Sequence, residues 1–342
     1  MLYFECPKCK RIWQYPIDMC PFCIIEVERK KGEKSKVIGS SKVVIGSLNH
    51  KKVPYYGLLL EDEKGNRWAH KSMNDVKIGD EIQCNVNKDA ISIWRIKYDQ
   101  LEAIEEINKL LDFLPNKKDL KVLIIPQINV PNYSYFRDNT SPEFLSTMVE
   151  FLINNNVKKE NIKIATQSFD ETPIEASAQK SGLLDACLKK EITPSDLSKS
   201  NFVKQGNLEI SEEVLKADLV INLPLLKGGD TCTTKNIFKV LKKENYSSLK
   251  YLKDEREIIK ELSVALPNLI NIAEAEFIQR PNKTIIFTGL ILGGKDSLKL
   301  DRVFSEIVFH KKLPELINDI EINDIETNGR QIEEVRYNIE SY

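Results

Sequence analysis

The pattern of apolar and polar positions changes character near residue 115. Before it the apolar runs are short and rich in β-branched and aromatic residues. Lys36-Val-Ile-Gly, Lys42-Val-Val-Ile-Gly, Tyr55-Tyr-Gly-Leu-Leu-Leu, Asn66-Arg-Trp-Ala-His and Ala90-Ile-Ser-Ile-Trp are separated by turn signals such as Glu63-Lys-Gly-Asn and Lys77-Ile-Gly-Asp. This spacing predicts a small all-β barrel over residues 31–98, with the OB fold as its leading form. Residues 99–114 place Leu101, Ile104, Ile107, Leu111 and Leu114 on one helical face. Pro115-Asn-Lys-Lys-Asp stops that helix, so residues 99–118 read as a linker helix.

From residue 119 to about 330 buried-strand runs alternate with helical segments. Leu120 to Ile125, Asn161 to Ala165, Ala217 to Leu223, Leu269 to Ala273 and Thr284 to Gly289 read as strands. Ser141-Pro-Glu opens a helix to about Asn155, with a side-chain cap and a proline at its first position. Pro173 to about Lys189 and Ser297 to about Val308 are also helical in pattern. The alternation predicts an α/β domain with a mixed, largely parallel sheet and flanking helices.

Composition is that of a globular protein, 42% hydrophobic and 30% charged. No apolar run is long enough to cross a bilayer, and Met1-Leu-Tyr-Phe-Glu-Cys lacks the basic start of a secretory signal. With reduced cysteines, these points place the chain in the cytoplasm and away from membranes. Net charge is −1, which argues against a nucleic-acid binder driven by bulk charge. The charge is uneven, however, with residues 1–100 carrying the positive excess.

The strongest chemical signal lies at the start. Cys6, Cys9, Cys20 and Cys23 form the frame C-P-K-C-(x10)-C-P-F-C. Two C-x2-C pairs this close predict a rubredoxin-like ribbon over residues 1–30, holding one structural Zn2+ with four thiolates. Such a site is coordinatively filled and leaves no position for a substrate. Cys84, Cys187 and Cys232 are scattered singly. His50, His70 and His310 lack metal-ligand spacing, and Cys232 has no histidine base near it in sequence, so it reads as a packing residue rather than a nucleophile.

Three loops follow predicted strands of the α/β part, where such folds bind ligands. The richest runs from Asn222 through Lys227, Thr231, Thr233, Thr234 and Lys235 to Asn236, just before a helix. Hydroxyls, lysines and a helix N-terminus together suit a phosphate or carboxylate. The bland alternative is a polar loop with a helix cap. The second loop carries Gly294, Asp296 and Asp301, and reads equally as an ordinary turn with an N-cap. The third is Pro126-Gln-Ile-Asn-Val-Pro-Asn with Arg137-Asp-Asn-Thr.

Two resemblances follow from these residues. The cysteine frame with Tyr15-Pro-Ile-Asp-Met-Cys-Pro-Phe-Cys, Pro54-Tyr-Tyr-Gly-Leu-Leu-Leu and Lys77-Ile-Gly-Asp-Glu-Ile resembles the acyl-CoA-associated domain-of-unknown-function family numbered 35. That resemblance implies a zinc ribbon and OB barrel that escort a thiolase-like, acyl-CoA-metabolising partner. Lys10 stands where that family usually has glycine. Ala217-Asp-Leu-Val-Ile-Asn-Leu-Pro-Leu-Leu-Lys, Thr234-Lys-Asn-Ile-Phe and Gly294-Lys-Asp-Ser-Leu-Lys-Leu-Asp resemble the domain-of-unknown-function family numbered 362. Many relatives there carry iron–sulfur cysteine runs; this chain has none, so no cluster is expected.

Three functions remain open from sequence: a protein acting on or binding an anionic small molecule, a non-catalytic accessory of an acyl-CoA enzyme, and a single-strand nucleic-acid binder using the basic barrel. The last is the least supported. Whether the chain is an enzyme stays undecided at this level.

Overall fold

The computed structural model describes all residues except 1, 16, 32–33, 46–52, 73–74, 84–86, 170–171, 281–283, 309–311 and 338–342. Cys84, His50, His310, Lys51 and Lys52 therefore lie outside the described residues. The chain divides into two compact units, Met1–Val86 and Asn87–Tyr342.

In the first unit, β1 (Leu2–Glu5) pairs antiparallel with β2 (Ile12–Trp13) and with β3 (Glu28–Lys31). A second sheet has the order β6-β5-β4-β7, built from β4 (Lys34–Val43), β5 (Tyr55–Asp62), β6 (Arg67–Ser72) and β7 (Glu81–Gln83). The two runs at Lys36 and Lys42 are one continuous strand, bent at a register shift between Val37 and Gly39. The β5–β6 turn is organised by Asp62, whose carboxylate accepts from the Lys64 and Asn66 amides at 2.9 Å each, with Gly65 at φ 78°. Val37, Leu58 and Leu60 form this sheet's small core. Buried Glu5 takes Lys64 at 2.6 Å and Lys30 at 3.3 Å. The Lys64 hydrogen bond, outweighing burial, holds its carboxyl below the usual range.

In the second unit the element order is β8 (Ile91–Arg95), α1 (Gln100–Leu111), β9 (Val122–Pro126), α2 (Pro142–Asn154), β10 (Ile162–Thr166), α3 (Ile174–Ser181), α4 (Leu183–Lys189), β11 (Ser195–Asp196), β12 (Phe202–Gln205), β13 (Leu208–Ser211), α5 (Glu212–Leu215), β14 (Leu219–Leu223), α6 (Cys232–Ile237), α7 (Lys243–Leu252), α8 (Glu255–Ala265), β15 (Leu269–Gln279), β16 (Ile285–Gly294), α9 (Ser297–Ile307) and β17 (Thr327–Gly329). The main sheet has eight strands in the order β11-β10-β9-β14-β15-β16-β8-β17. It is mixed and mostly parallel; β15–β16 and β16–β8 are its antiparallel pairs. Val122 and Ile124 of β9 face one core with α1 and α2, while Leu123 and Ile125 face another with α7 and α8, as alternation along a strand buried on both faces requires.

Two expectations about organisation are corrected. The run Ala90-Ile-Ser-Ile-Trp does not close the N-terminal barrel: Ile91–Arg95 is β8 of the large sheet, paired with β16 and β17. The helix expected to link the domains is α1, and its stripe of Ala103, Ile104, Ile107 and Leu111 is buried in the α/β core. An apolar stripe of that width has to be covered, and the sheet covers it. Gly293 makes room for this packing, since a Cβ there would sit 2.6 Å from Ile107 Cγ2, while one at Gly294 would sit 2.5 Å from Ile91 Cδ1 of β8. Gly294 is thus the last residue of β16, packed against Ile91.

Candidate metal centre and ligand cleft

The four N-terminal sulfurs lie within 4.8 Å of one another. Cys9 and Cys20 Sγ are 3.7 Å apart; tetrahedral metal–sulfur bonds of ~2.3 Å place sulfurs about 3.8 Å from each other, so the donor set fits a thiolate-bound cation. The two knuckles repeat one geometry. The amide of Lys10 donates to Cys6 O at 2.9 Å and that of Ile24 to Cys20 O at 2.8 Å. Lys10 and Ile24 both have positive φ, 58° and 52°. Unaided, Cys6 and Cys23 titrate at odds. Burial raises the Cys6 thiol, but the Cys9 and Lys8 amides together with the Cys9 and Cys20 sulfurs outweigh it and bring it to about 7. Burial and the neighbouring sulfurs push Cys23 up to about 12. A divalent cation removes that conflict by stabilising every thiolate at once.

A β-branched residue held at left-handed φ is strained. Ile24 is well exposed and so gains nothing from burial in return. Ile24→Gly is expected to raise the stability of the N-terminal unit by about 0.5–1 kcal/mol, after allowing for glycine's extra freedom when unfolded. Chemical denaturation of the metal-loaded protein checks this, and a lower midpoint would contradict it.

In the α/β unit, β9 leads to β10 on one side while β14 leads to β15 on the other, so the chain reverses direction across the sheet between β9 and β14. Ligand crevices form beyond the carboxyl ends of strands at such a point. Here a cleft of about 420 Å³ opens, lined by residues following β9 (Gln127, Ile128, Asn129), β10 (Ser168, Phe169) and β14 (Asp230, Cys232, Lys235, Asn236, Lys239), with Tyr246, Lys250 and Glu255 from the α7–α8 region.

Its lysines differ in setting. Lys239 is buried, and its Nζ donates to Ile128 O at 2.9 Å and to Asn129 Oδ1 at 2.8 Å. Lys235 Nζ lies 2.5 Å from Asp230 Oδ1; burial works against its charge, but this carboxylate outweighs burial and raises the ammonium's pKa above its ordinary value. Lys250 pairs with Glu255 at 3.1 Å. Tyr246, whose hydroxyl donates to Glu255 at 2.6 Å, is sandwiched between Phe238 and Phe169 with ring centroids at 4.7 and 5.0 Å. Three ammonium groups thus face two carboxylates in the lining. Cys232 lines the cleft, but burial, then Asp230 and Asp301, raise its thiol well above the usual value, so it is not a thiolate nucleophile.

The richest sequence loop divides between cleft and scaffold. Lys235 and Asn236 line the cleft. Lys227 turns away to Asp138 Oδ1 at 2.5 Å. The start of α6 is already occupied by an anion from the chain itself: Asp301 accepts from the Thr233 amide at 3.0 Å and the Thr234 amide at 2.9 Å. Thr231 is buried beside it. Asn222 belongs to a relay of amides, Asn236 Nδ2 to Asn222 Oδ1 at 2.8 Å, Asn222 Nδ2 to Asn271 Oδ1 at 2.8 Å and Asn271 Nδ2 to Gly294 O at 2.8 Å, which ties α6 to β14, β15 and β16. Asp296 caps α9, accepting from the Lys299 amide at 3.0 Å. Sequence reasoning passed over Lys239, in the 3-10 turn that follows α6, and Phe169, Tyr246, Lys250 and Glu255, which only the tertiary fold brings to the cleft.

Burial raises the Asp301 carboxyl to about 6, although the Thr233 and Thr234 amides that donate to it oppose the shift. A folded-state value above the unfolded one means that this group's stabilisation is complete below the unfolded pKa and is lost as pH rises through about 6. Asp301→Asn has no such titration. The stability advantage of the unmodified chain over Asp301→Asn is therefore expected to narrow between pH 4 and pH 7. Thermal melts across that range test the sign, and a widening gap would refute the assignment.

The fold is a mixed, mostly parallel α/β architecture, preceded in sequence by a four-cysteine cluster compatible with a metal ion. Residues 122–306, more than half of the chain, match the family described as Domain of unknown function (DUF362), and the chain belongs to that family. No curated protein matches it. Among solved structures it is similar to an Ltp2-ChsH2(DUF35) aldolase, at 17% identity and TM-score 0.21, covering 29% of this chain and 76% of that one. It is also similar to the lactate racemase apoprotein from Thermoanaerobacterium thermosaccharolyticum, at 12% identity and TM-score 0.39, covering 78% of this chain and 61% of that one. Among the described residues no helix is long and apolar enough to cross a membrane.

Proposed function

We propose that the α/β unit binds a phosphate- or carboxylate-bearing small molecule in the cleft beyond β9, β10 and β14. The convergence of Lys235, Lys239 and Lys250 on one crevice at the point of strand reversal carries this reading. The four-cysteine module holds Zn2+ in a structural role, and the N-terminal unit, with an OB-like barrel, serves as a docking or acyl-CoA-presenting element. The protein works in the cytoplasm, where thiolate–zinc sites persist.

A second reading, an accessory protein docking on an acyl-CoA enzyme, draws support from the exposed apolar side chains Phe22 and Ile24 at the ribbon's second knuckle. Nucleic-acid binding draws less, because Lys30 and Lys64 are engaged with Glu5.

Lys235→Ala is expected to reduce thermal stabilisation by phosphorylated metabolites or CoA thioesters while changing the ligand-free melting temperature little, since the pair it breaks is exposed. Lys227→Ala should do the reverse, lowering the ligand-free melting temperature through loss of the half-buried Asp138 pair and leaving ligand shifts intact. A thermal-shift screen reads both. Equal ligand shifts in unmodified and Lys235→Ala protein would remove the cleft from consideration. Metal analysis of purified protein tests zinc.

A further inference from the structure

The β15–β16 hairpin is apolar on both faces but covered on only one. Among the described residues, Phe277–Gln279 and Ile285–Phe287 pair only with each other. β14 meets β15 at Leu269–Asn271, and again through a single bridge at Glu274, while β8 meets β16 at Leu290–Gly293. Residues directly opposite in an antiparallel pair share a face. Ile278 and Ile286 are such a pair, and they pack into the core shared with α9. Phe277 with Phe287, and Gln279 with Ile285, form the other face. There Phe287 is 57%, Ile285 40% and Phe277 38% exposed, with the two rings 5.2 Å apart. Strands apolar on both sides belong to sheets covered on both, and an uncovered apolar patch marks an interaction surface.

Phe277 also borders a groove of about 500 Å³ lined from α1, α2 and β15, with exposed Tyr98 as a second aromatic wall. Two of its carboxylates have cations of their own, Glu274 in Arg137 and Glu150 in Lys190 at 3.5 Å. Asp99, Glu143 and Glu276 take part in no ion pair among the described residues. The aromatic face calls for a partner and these carboxylates decide its charge. A second copy placed by two-fold symmetry would bring like charges together, and an anionic membrane surface would be repelled. Guanidinium and ammonium groups suit both features, since they pair with carboxylates and lie over aromatic rings, as Arg137 already does over Phe277 at 5.4 Å.

We infer that this face and groove form a docking surface for a partner-protein segment that alternates basic and apolar side chains. The apolar side chains cover Phe277, Ile285 and Phe287, and the basic ones enter the groove. The surface shares no lining residue with the cleft beyond β9, β10 and β14.

Fluorescence anisotropy of the full chain tests it with labelled peptides of about ten residues, roughly 33 Å when extended. One alternates arginine with leucine, one arginine with serine, and one glutamate with leucine. The arginine–leucine peptide should bind about ten-fold or more tightly than either of the others. Phe287→Ser should weaken it about ten-fold, and Glu143→Gln with Glu276→Gln should weaken it and flatten its dependence on salt. Phe287 is the better aromatic to change, because Arg137 lies over Phe277 and not over Phe287; unchanged melting of each variant confirms that its fold is intact. Lys235→Ala should leave peptide binding as it was. Failure of the arginine–leucine peptide to bind, or binding that ignores either the Phe287 or the carboxylate variant, overturns the inference. So does a dimer in sedimentation, or binding to phosphatidylserine vesicles, that Phe287→Ser abolishes, since the face would then belong to a second copy or to a membrane.

Discussion

Stripping the metal from Cys6, Cys9, Cys20 and Cys23 is expected to abolish the folded ribbon while the α/β unit keeps its own unfolding transition. The ribbon's sheet has only three short strands, β2-β1-β3, and its buried apolar complement among the described residues is Tyr3 beside two of the cysteines themselves. A module of this size lacks the core to fold unaided. Structural zinc contributes roughly 10–16 kcal/mol of apparent binding free energy near neutral pH, and in such modules that is folding free energy. The sheet from β8 to β17, by contrast, draws its cores from residues beyond 90. Chelator treatment or Cys20→Ser should therefore raise amide exchange across residues 2–31 to near-unprotected levels and leave β9, β14 and β15 protected. Acid should imitate the chelator, because protons compete with the metal for each thiolate. Unchanged protection of the ribbon after complete metal removal would sink the assignment.

Legibility varied with how local the determining physics is. The four-cysteine cluster could be read directly, since each C-x2-C turn fixes two sulfurs within a few residues. The strand–helix alternation was equally plain. Ser141 caps α2 through its hydroxyl, which accepts from the Phe144 amide at 3.1 Å, as Ser-Pro-Glu announces. Gly182, at φ 80°, splits the helical stretch after Pro173 into α3 and α4. Strand allegiance was not legible. Ile91-Ser-Ile-Trp-Arg has the composition of a barrel strand, and only long-range pairing with Leu290–Gly293 assigns it to the large sheet. The β12–β13 hairpin turns on Gly206 at φ 60° and is hard to read because each strand has only four residues, half of them polar. At the cleft, the donors after β14 stood out as a cluster, yet a cluster in sequence does not say which way each side chain turns. Lys227 and Lys235, eight residues apart, end on Asp138 and at the cleft rim. The anion suited to the start of α6 came from Asp301, which lies 68 residues away from Thr233 and whose role no local pattern announces.

The same lesson holds at Glu274, a fully buried carboxylate in β15. It accepts from the Ser141 amide at 2.9 Å and pairs with the guanidinium of Arg137, which sits at φ 57° over the Phe277 ring. Burial raises its pKa, and Arg137 is the strongest of the influences lowering it again. Arg137→Met keeps most of the side-chain bulk but leaves the carboxylate without its counter-charge. Breaking one partner of a buried pair costs about 3–5 kcal/mol, so this variant should be among the most damaging single changes in the α/β unit. The sign with pH follows from the direction of the shift. Without Arg137 the folded-state pKa of Glu274 rises further, so ionisation is the destabilising event. The loss should be smallest below the ordinary glutamate range and should grow as pH rises through the raised folded value. Adding Glu274→Gln should recover much of the loss at neutral pH, since a neutral amide still accepts from Ser141 and carries no unpaired charge. Denaturant melts of both single variants and the double variant at pH 4 and pH 7.5 separate the possibilities. A pH-independent loss in Arg137→Met, or a double variant no more stable at pH 7.5 than Arg137→Met alone, would mean that Arg137 acts through packing on Phe277 rather than through the charge of Glu274.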